Sequence, residues 1–170
     1  MRVIGLAGWS GSGKTTLAVR LIPALRDLGF SVSTIKHAHH LFDVDQPGKD
    51  SHEHRQAGAT EVLISSNMRW ALMHELRGAE EPGLPDLLAK LAPVDVVVVE
   101  GFRGAGIDKI EVWRQASGGH MLWPKDAHIV ALATDGPLPP EVTAPALPLF
   151  DLGDEGAIAR FIADRPPWPG

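Results

Sequence analysis

Gly8-Trp9-Ser10-Gly11-Ser12-Gly13-Lys14-Thr15 is the stretch on which the reading of this chain turns. It satisfies the pattern G-x-x-x-x-G-K-[ST] at every fixed position. Such a loop turns tightly enough for successive backbone N–H groups to converge on phosphate oxygens, and it needs glycine where space is short or φ is positive. Lys14 brings a point charge to the β- and γ-phosphates, and the Thr15 hydroxyl is a ligand for Mg²⁺. Val3–Ala7, just before the loop, is apolar enough for a buried parallel strand. Beyond it Leu17, Leu21, Ile22, Leu25 and Leu28 recur at helical spacing, and Gly29 stands where a C-terminal cap belongs. A helix that starts at the end of the loop adds the positive end of its dipole to an anion site. Gly8, Ser10, Gly11, Ser12, Gly13, Lys14, Thr15 and Thr16 are therefore predicted to bind nucleotide. The predicted fold is α/β, a P-loop NTPase whose mostly parallel sheet is flanked by helices.

Composition is consistent with that reading. At 170 residues the chain suits one nucleotide-binding domain, expected over 1–165, with a Pro-rich tail at 166–170 that should be loose. The absence of cysteine excludes a disulfide framework and thiolate metal sites. A formal net charge of −5 weighs against a nucleic-acid binder but not against a small anion held by local amides and a few cations. With neither an apolar run of membrane-span length nor a signal-peptide pattern, a cytoplasmic protein with no membrane partner is expected.

Ser31–Ile35 is β-branched and alternating, a second strand that delivers Lys36, His37, His39 and His40 at its C-terminal end. In an open α/β sheet that edge is where ligands bind. The loop that follows carries Asp43, Asp45, Lys49 and Asp50, and a short helix at 51–57 carries Arg55. The histidines admit three readings: a zinc site, a solvated loop, or a switch loop that contacts phosphate or a partner. H-x-H-H without cysteine is a poor structural zinc pattern. Residues 61–65 and 69–74 flank a short polar turn and read as an inserted β-hairpin. Its outer edge is free to pair with a second copy, so homodimerisation through it is expected.

A short helix is expected over 85–91. Val94–Val99 is a nearly continuous β-branched run, as a strand buried on both faces requires, and it ends at Glu100. An acid there occupies the Walker B position and holds Mg²⁺ directly or through water. Lys14 and Glu100 are accordingly the candidate catalytic groups; Thr15 and Glu100, with Asp50 further out, are the candidate metal ligands. Lys109–Arg114 alternates polar and apolar residues and predicts a half-exposed strand with its charges on one face. Another core strand, 129–133, leads to Thr134-Asp135-Gly136. Asp135 is either an acceptor for the N1 and N2 groups of guanine or a turn-forming Asp-Gly. Residues 147–150 suggest a last strand and 155–163 a closing helix.

These residues together resemble the molybdopterin-guanine dinucleotide biosynthesis protein B (MobB-type) family. The resemblance is carried by Gly8–Thr16, Lys36–His40, Phe42–Asp45, Gly48–Ser51, His54–Gly58, Glu100–Phe102 and Lys109–Val112, and it fades after about residue 135. Ala38 stands where the family pattern has Thr, and Arg103 where Lys is usual. The resemblance implies a dimeric GTP-binding accessory protein with weak GTPase activity, using Mg²⁺ with GTP. Its implied partners are the molybdopterin guanylyltransferase and molybdopterin itself, in the assembly of the molybdenum cofactor's guanine dinucleotide form. It also implies that the loop from His37 to Ser51 lies over the nucleotide and senses its state.

Two other classes share the loop. A small-metabolite kinase would use Asp43 or Asp45 as base, but it needs an arginine-bearing lid, and after Glu100 only Arg103 and Arg114 come near to supplying one. Partitioning-type ATPases carry a lysine where Trp9 stands.

Overall fold

The strand that feeds the phosphate loop, β1 (Arg2–Ala7), lies inside a sheet of six strands. Its neighbours are β5 (Val96–Glu100) on one side and β6 (Lys109–Trp113) on the other. β2 (Val32–Lys36) closes the β5 edge; β7 (Ile129–Thr134) and β8 (Leu149–Asp151) continue beyond β6. All pairings in this sheet are parallel. The chain leaves β1 toward β2 and leaves β6 toward β7, so the sheet's switch point opens between β1 and β6, beside the phosphate loop. The computed structural model describes residues 1–38, 42–117, 119–140, 142 and 146–170. Two compact units divide the chain, one comprising 1–37 and 84–170, the other 38–83.

The sheet of the larger unit buries both faces, which is why its strands are apolar without alternation. Val96 and Val98 join Ile4 and Leu6 in a core with Leu17, Leu21 and Leu25 of α1 (Lys14–Asp27) and Ile158 and Ile162 of α4 (Glu155–Ala163). Val97 and Val99 face the other way, with Val3, Ile107 and the buried Leu84 and Leu88 of α3 (Leu84–Leu88). α1 ends at Gly29, whose φ of 88° suits glycine and whose N–H donates to Arg26 O at 2.9 Å. α4 begins at Asp154, whose carboxylate accepts from the Ala157 N–H at 2.8 Å.

Two expectations need correction here. β6 is buried at every residue rather than half-exposed. As an interior strand it has no solvent face, and its charged side chains are neutralised inside: Lys109 Nζ pairs with Asp126 at 2.8 Å, while Glu111 accepts from the backbone N–H groups of Leu122 and Trp123 at 2.7 and 2.9 Å. Nor is the C-terminal tail loose. The Trp168 N–H donates to Met1 O at 3.0 Å, and its indole packs against the α3 side of the core, because a large apolar ring gains more from burial than the tail loses in freedom.

The smaller unit contains α2 (Asp50–Gln56) and an antiparallel hairpin of β3 (Glu61–Ser65) and β4 (Trp70–His74). Leu63 opposes Leu72 and Ser65 opposes Trp70 on one face. That face is exposed, and Trp70 and Met68 retain 68% and 81% of their accessible surface. Among the described residues no helix is long and apolar enough to cross a membrane.

Candidate nucleotide site

The phosphate loop presses hard against β6. A Cβ at Gly8 would lie 2.4 Å from Val112 O and 2.7 Å from Ser12 Oγ, so only glycine fits, and its φ of 141° is itself unfavourable for other residues. The Ser12 N–H donates to Trp9 O at 3.2 Å, and Gly13, at φ 98°, turns the chain into α1. Lys14 then reaches back under the loop and donates to Gly8 O at 3.0 Å and Trp9 O at 2.8 Å. Its pKa is lowered, chiefly by burial; Glu100 opposes the shift, and the nearby Arg103 and Lys36 reinforce it. The ammonium thus sits short of counter-charge, as a phosphate ligand should.

Sheet register assembles the second part of the site. Glu100 lies between Leu6 of β1 and Lys36 of β2. The Thr15 hydroxyl donates to Glu100 Oε1 at 2.7 Å. Lys36 Nζ lies 3.3 Å from Thr15 Oγ1 and 3.4 Å from Glu100 Oε1, so a positive charge already rests at both oxygens. A hydroxyl and a carboxylate side by side form a hard oxygen pair of the kind Mg²⁺ takes, and the site fits that ion. Asp50, the first residue of α2, belongs to the other unit.

At the far end of β7, Thr134 is buried with its hydroxyl on Gly136 O at 2.8 Å. Asp135 is exposed and lies 3.8 Å from the Arg114 guanidinium, which also flanks Gly13. The pair sits on the same edge as the loop, one strand beyond β6. Arg103 reaches Gly8 O with Nη2 at 3.4 Å and lies over the Trp9 ring. In the sequence Arg103 stands out only as a departure from the family's usual Lys and, with Arg114, as too little for a kinase lid. The available signal was their position, immediately after the Walker B acid and at the end of a core strand.

In the smaller unit, Arg55 gathers the acids. Its Nη2 bonds Asp43 Oδ2 at 2.8 Å, and Asp45 accepts from Ser51 Oγ at 2.8 Å. The Asp45 N–H and Arg55 together lower the pKa of Asp43. A general base gains from the opposite shift, so Asp43 suits a structural clasp with Arg55 better than proton abstraction. Lys49 precedes α2. In the larger unit, the His37 ring lies 4.9 Å from that of Phe102, and the His37 backbone N–H donates to Glu100 O at 2.8 Å. His39 and His40 lie outside the described residues. Among the described residues no three His, Asp or Glu side chains form a metal cluster.

Comparison with known proteins narrows the chemistry. Residues 3–135 match the family described as molybdopterin guanine dinucleotide synthesis protein B, MobB. A molybdopterin-guanine dinucleotide biosynthesis adapter protein of Escherichia coli K12 is 40% identical over 168 residues, 95% of this chain and 91% of that one. Its Haemophilus influenzae namesake is 39% identical, over 94% of this chain and 86% of the relative. A crystal structure of a MobB homologue from Bacillus stearothermophilus superposes with a TM-score of 0.69 at 24% identity, covering 96% and 97% of the two chains, and shares the fold.

Proposed function

Because this chain belongs to the MobB family, we infer that it is an adapter in molybdenum cofactor biosynthesis. In this reading it binds GTP with Mg²⁺ and assists the enzyme that joins GMP to molybdopterin. The observation that carries the nucleotide part is the convergence of Lys14, Thr15 and Glu100 at one end of the sheet. Gly8, Ser10, Gly11, Ser12, Gly13 and Thr16 complete the phosphate cradle. Thr15 and Glu100 hold the metal, which neutralises phosphate charge when bound, and Asp135 reads guanine. Hydrolysis is slow, because among the described residues Glu100 is the acid set against Lys14, Thr15 and Lys36, and it is committed to the metal rather than to positioning water. The protein acts in the cytoplasm as a homodimer, and the exposed Leu63–Leu72 and Trp70 face of the hairpin supports pairing through that surface.

The experiment is calorimetric titration with GTP and then ATP, each with Mg²⁺. Preference for GTP is expected. Preference for ATP would overturn the guanine reading and favour a kinase, although the lowered pKa of Asp43 speaks against that reading. Sedimentation of the same sample should give twice the chain mass, and a monomer at micromolar concentration would exclude the hairpin interface.

A further inference from the structure

We propose that Arg103 is a terminal-phosphate sensor in cis, resting on Trp9 until a nucleoside triphosphate draws it onto the γ-phosphate. This rests on the reading that the phosphate loop holds a triphosphate, and it adds the residue that tells triphosphate from diphosphate.

The backbone that presents Arg103 is held in an uncommon conformation. Gly101 has φ 100°, and Phe102, which is not glycine, has φ 50°. Left-handed backbone at a bulky residue persists only where its surroundings hold it, and such sites cluster at functional loops. Here Phe102 packs into the core beside α3 and against the His37 ring. A Cβ at Gly101 would meet His37 Cβ at 2.6 Å. Next in the chain, Arg103 O accepts from the buried Lys109 Nζ at 2.8 Å, and Lys109 is itself fixed by Asp126. A lysine that retains only 3% of its surface is thus committed to holding this loop.

The guanidinium so presented has no carboxylate partner among the described residues. Its Cζ lies 4.9 Å from the centroid of the Trp9 ring, and Nη2 reaches Gly8 O at 3.4 Å. Trp9 is braced for this role by its indole N–H on His120 O at 2.7 Å. A cation–π contact and one long hydrogen bond hold the side chain more weakly than charge-assisted bonds to phosphate would. Lys14 donates to the same Gly8 oxygen, so a phosphate touched by Lys14 lies within a side-chain rotation of Arg103. Lys14 feels the charges of Lys36 and Arg103 as well as that of Glu100, which Lys36 already pairs at 3.4 Å, so an anion at Lys14 would relieve an excess of positive charge. Glu100, which leads directly into this loop, is the acid already assigned to the metal. The geometry therefore couples the metal ligand, the sensor and the loop through four consecutive residues.

The test is calorimetry with GTP and with GDP, each with Mg²⁺, on the wild-type protein, Arg103→Met and Arg103→Lys. Arg103→Met should lose about tenfold to a hundredfold in GTP affinity, the loss expected for a charge-assisted bond, and keep its GDP affinity. Arg103→Lys should fall between. Retained GDP binding shows in the same sample that the variant is folded. Tryptophan fluorescence should change with GTP but not GDP, and Trp9→Phe should abolish that difference. Equal loss of both nucleotides, or no loss of either, would overturn the sensor while leaving the triphosphate site standing. Failure of the wild-type protein to bind either nucleotide would overturn the triphosphate reading and this inference with it.

Discussion

The Thr15 hydroxyl donates to Glu100 Oε1 at 2.7 Å although 85 residues separate the two. Parallel pairing of β1 with β5 makes the contact, since it sets Leu6 beside Glu100 one turn of loop away from Thr15. If that oxygen pair holds Mg²⁺, Glu100→Gln keeps the shape and loses the charge. GTP affinity in Mg²⁺ should then drop by about tenfold to a hundredfold, toward the value measured in a chelator. Titrations with and without the metal check this. A variant with undiminished Mg²⁺ dependence would move the metal to other ligands.

Lys14 gives a pH dependence whose sign is fixed by its surroundings. Burial, Arg103 and Lys36 lower its pKa from 10.5 in the nucleotide-free protein, more than Glu100 raises it. Bound phosphate must restore the charged form. At alkaline pH, between the lowered value and the ordinary one, GTP binding should therefore take up a proton. Affinity should weaken as pH rises through that window, while at neutral pH no uptake is expected. Calorimetry in buffers of different ionisation enthalpy measures the uptake. Lys14→Ala should show none, with most triphosphate affinity gone and the melting temperature unchanged, because the side chain serves the ligand rather than the core.

Asp135 separates two readings that sequence left open. As a guanine acceptor it faces donors that adenine lacks, so its removal should cost GTP and spare ATP. Asp135→Ala should reduce GTP affinity by about tenfold or more and bring the two nucleotides close together. Equal affinities before and after would return Asp135 to the role of a turn residue paired with Arg114.

What the sequence revealed and what it hid have one physical cause. The phosphate loop, α1 and the Val96–Glu100 strand were legible because strand, tight turn and helix each depend on neighbours a few residues away. Their bounds shifted by a residue or two, where strand and helix ends fray. Charge on Lys109 and Glu111 was misread because alternation normally marks a solvent face. Their partners, Asp126 and the N–H groups of Leu122 and Trp123, lie in a loop whose return to β6 no local pattern announces. Arg103 stayed hidden in the same way, since its contact with Trp9 exists only once β1 and β5 are paired.

Glu111 supplies a stability prediction from that buried pair of hydrogen bonds. It retains none of its surface, and burial raises its pKa above 4.5 despite the Leu122 and Trp123 N–H groups, which favour the charged form. A raised carboxyl pKa means that the folded state binds more protons than the unfolded one just above pH 4.5. This contribution to stability is therefore full below that pH and lost as pH rises through the folded value. Asp95 and Asp126, with lowered pKa values, act in the opposite direction and lose theirs as pH falls below 3.8. Glu111→Gln removes the first slope but keeps an acceptor oxygen for only one N–H, its NH2 group facing the other as a second donor. Glu111→Ala strips both, and at about 1–3 kcal/mol for each unsatisfied donor it should destabilise by about 2–6 kcal/mol. Denaturant titrations from pH 4 to 8 distinguish the cases: wild-type stability should fall as pH rises from 4.5 where Glu111→Gln is flatter, and Glu111→Ala should lie well below both. Identical pH profiles for wild type and Glu111→Gln would mean that the carboxyl does not titrate differently in the folded chain.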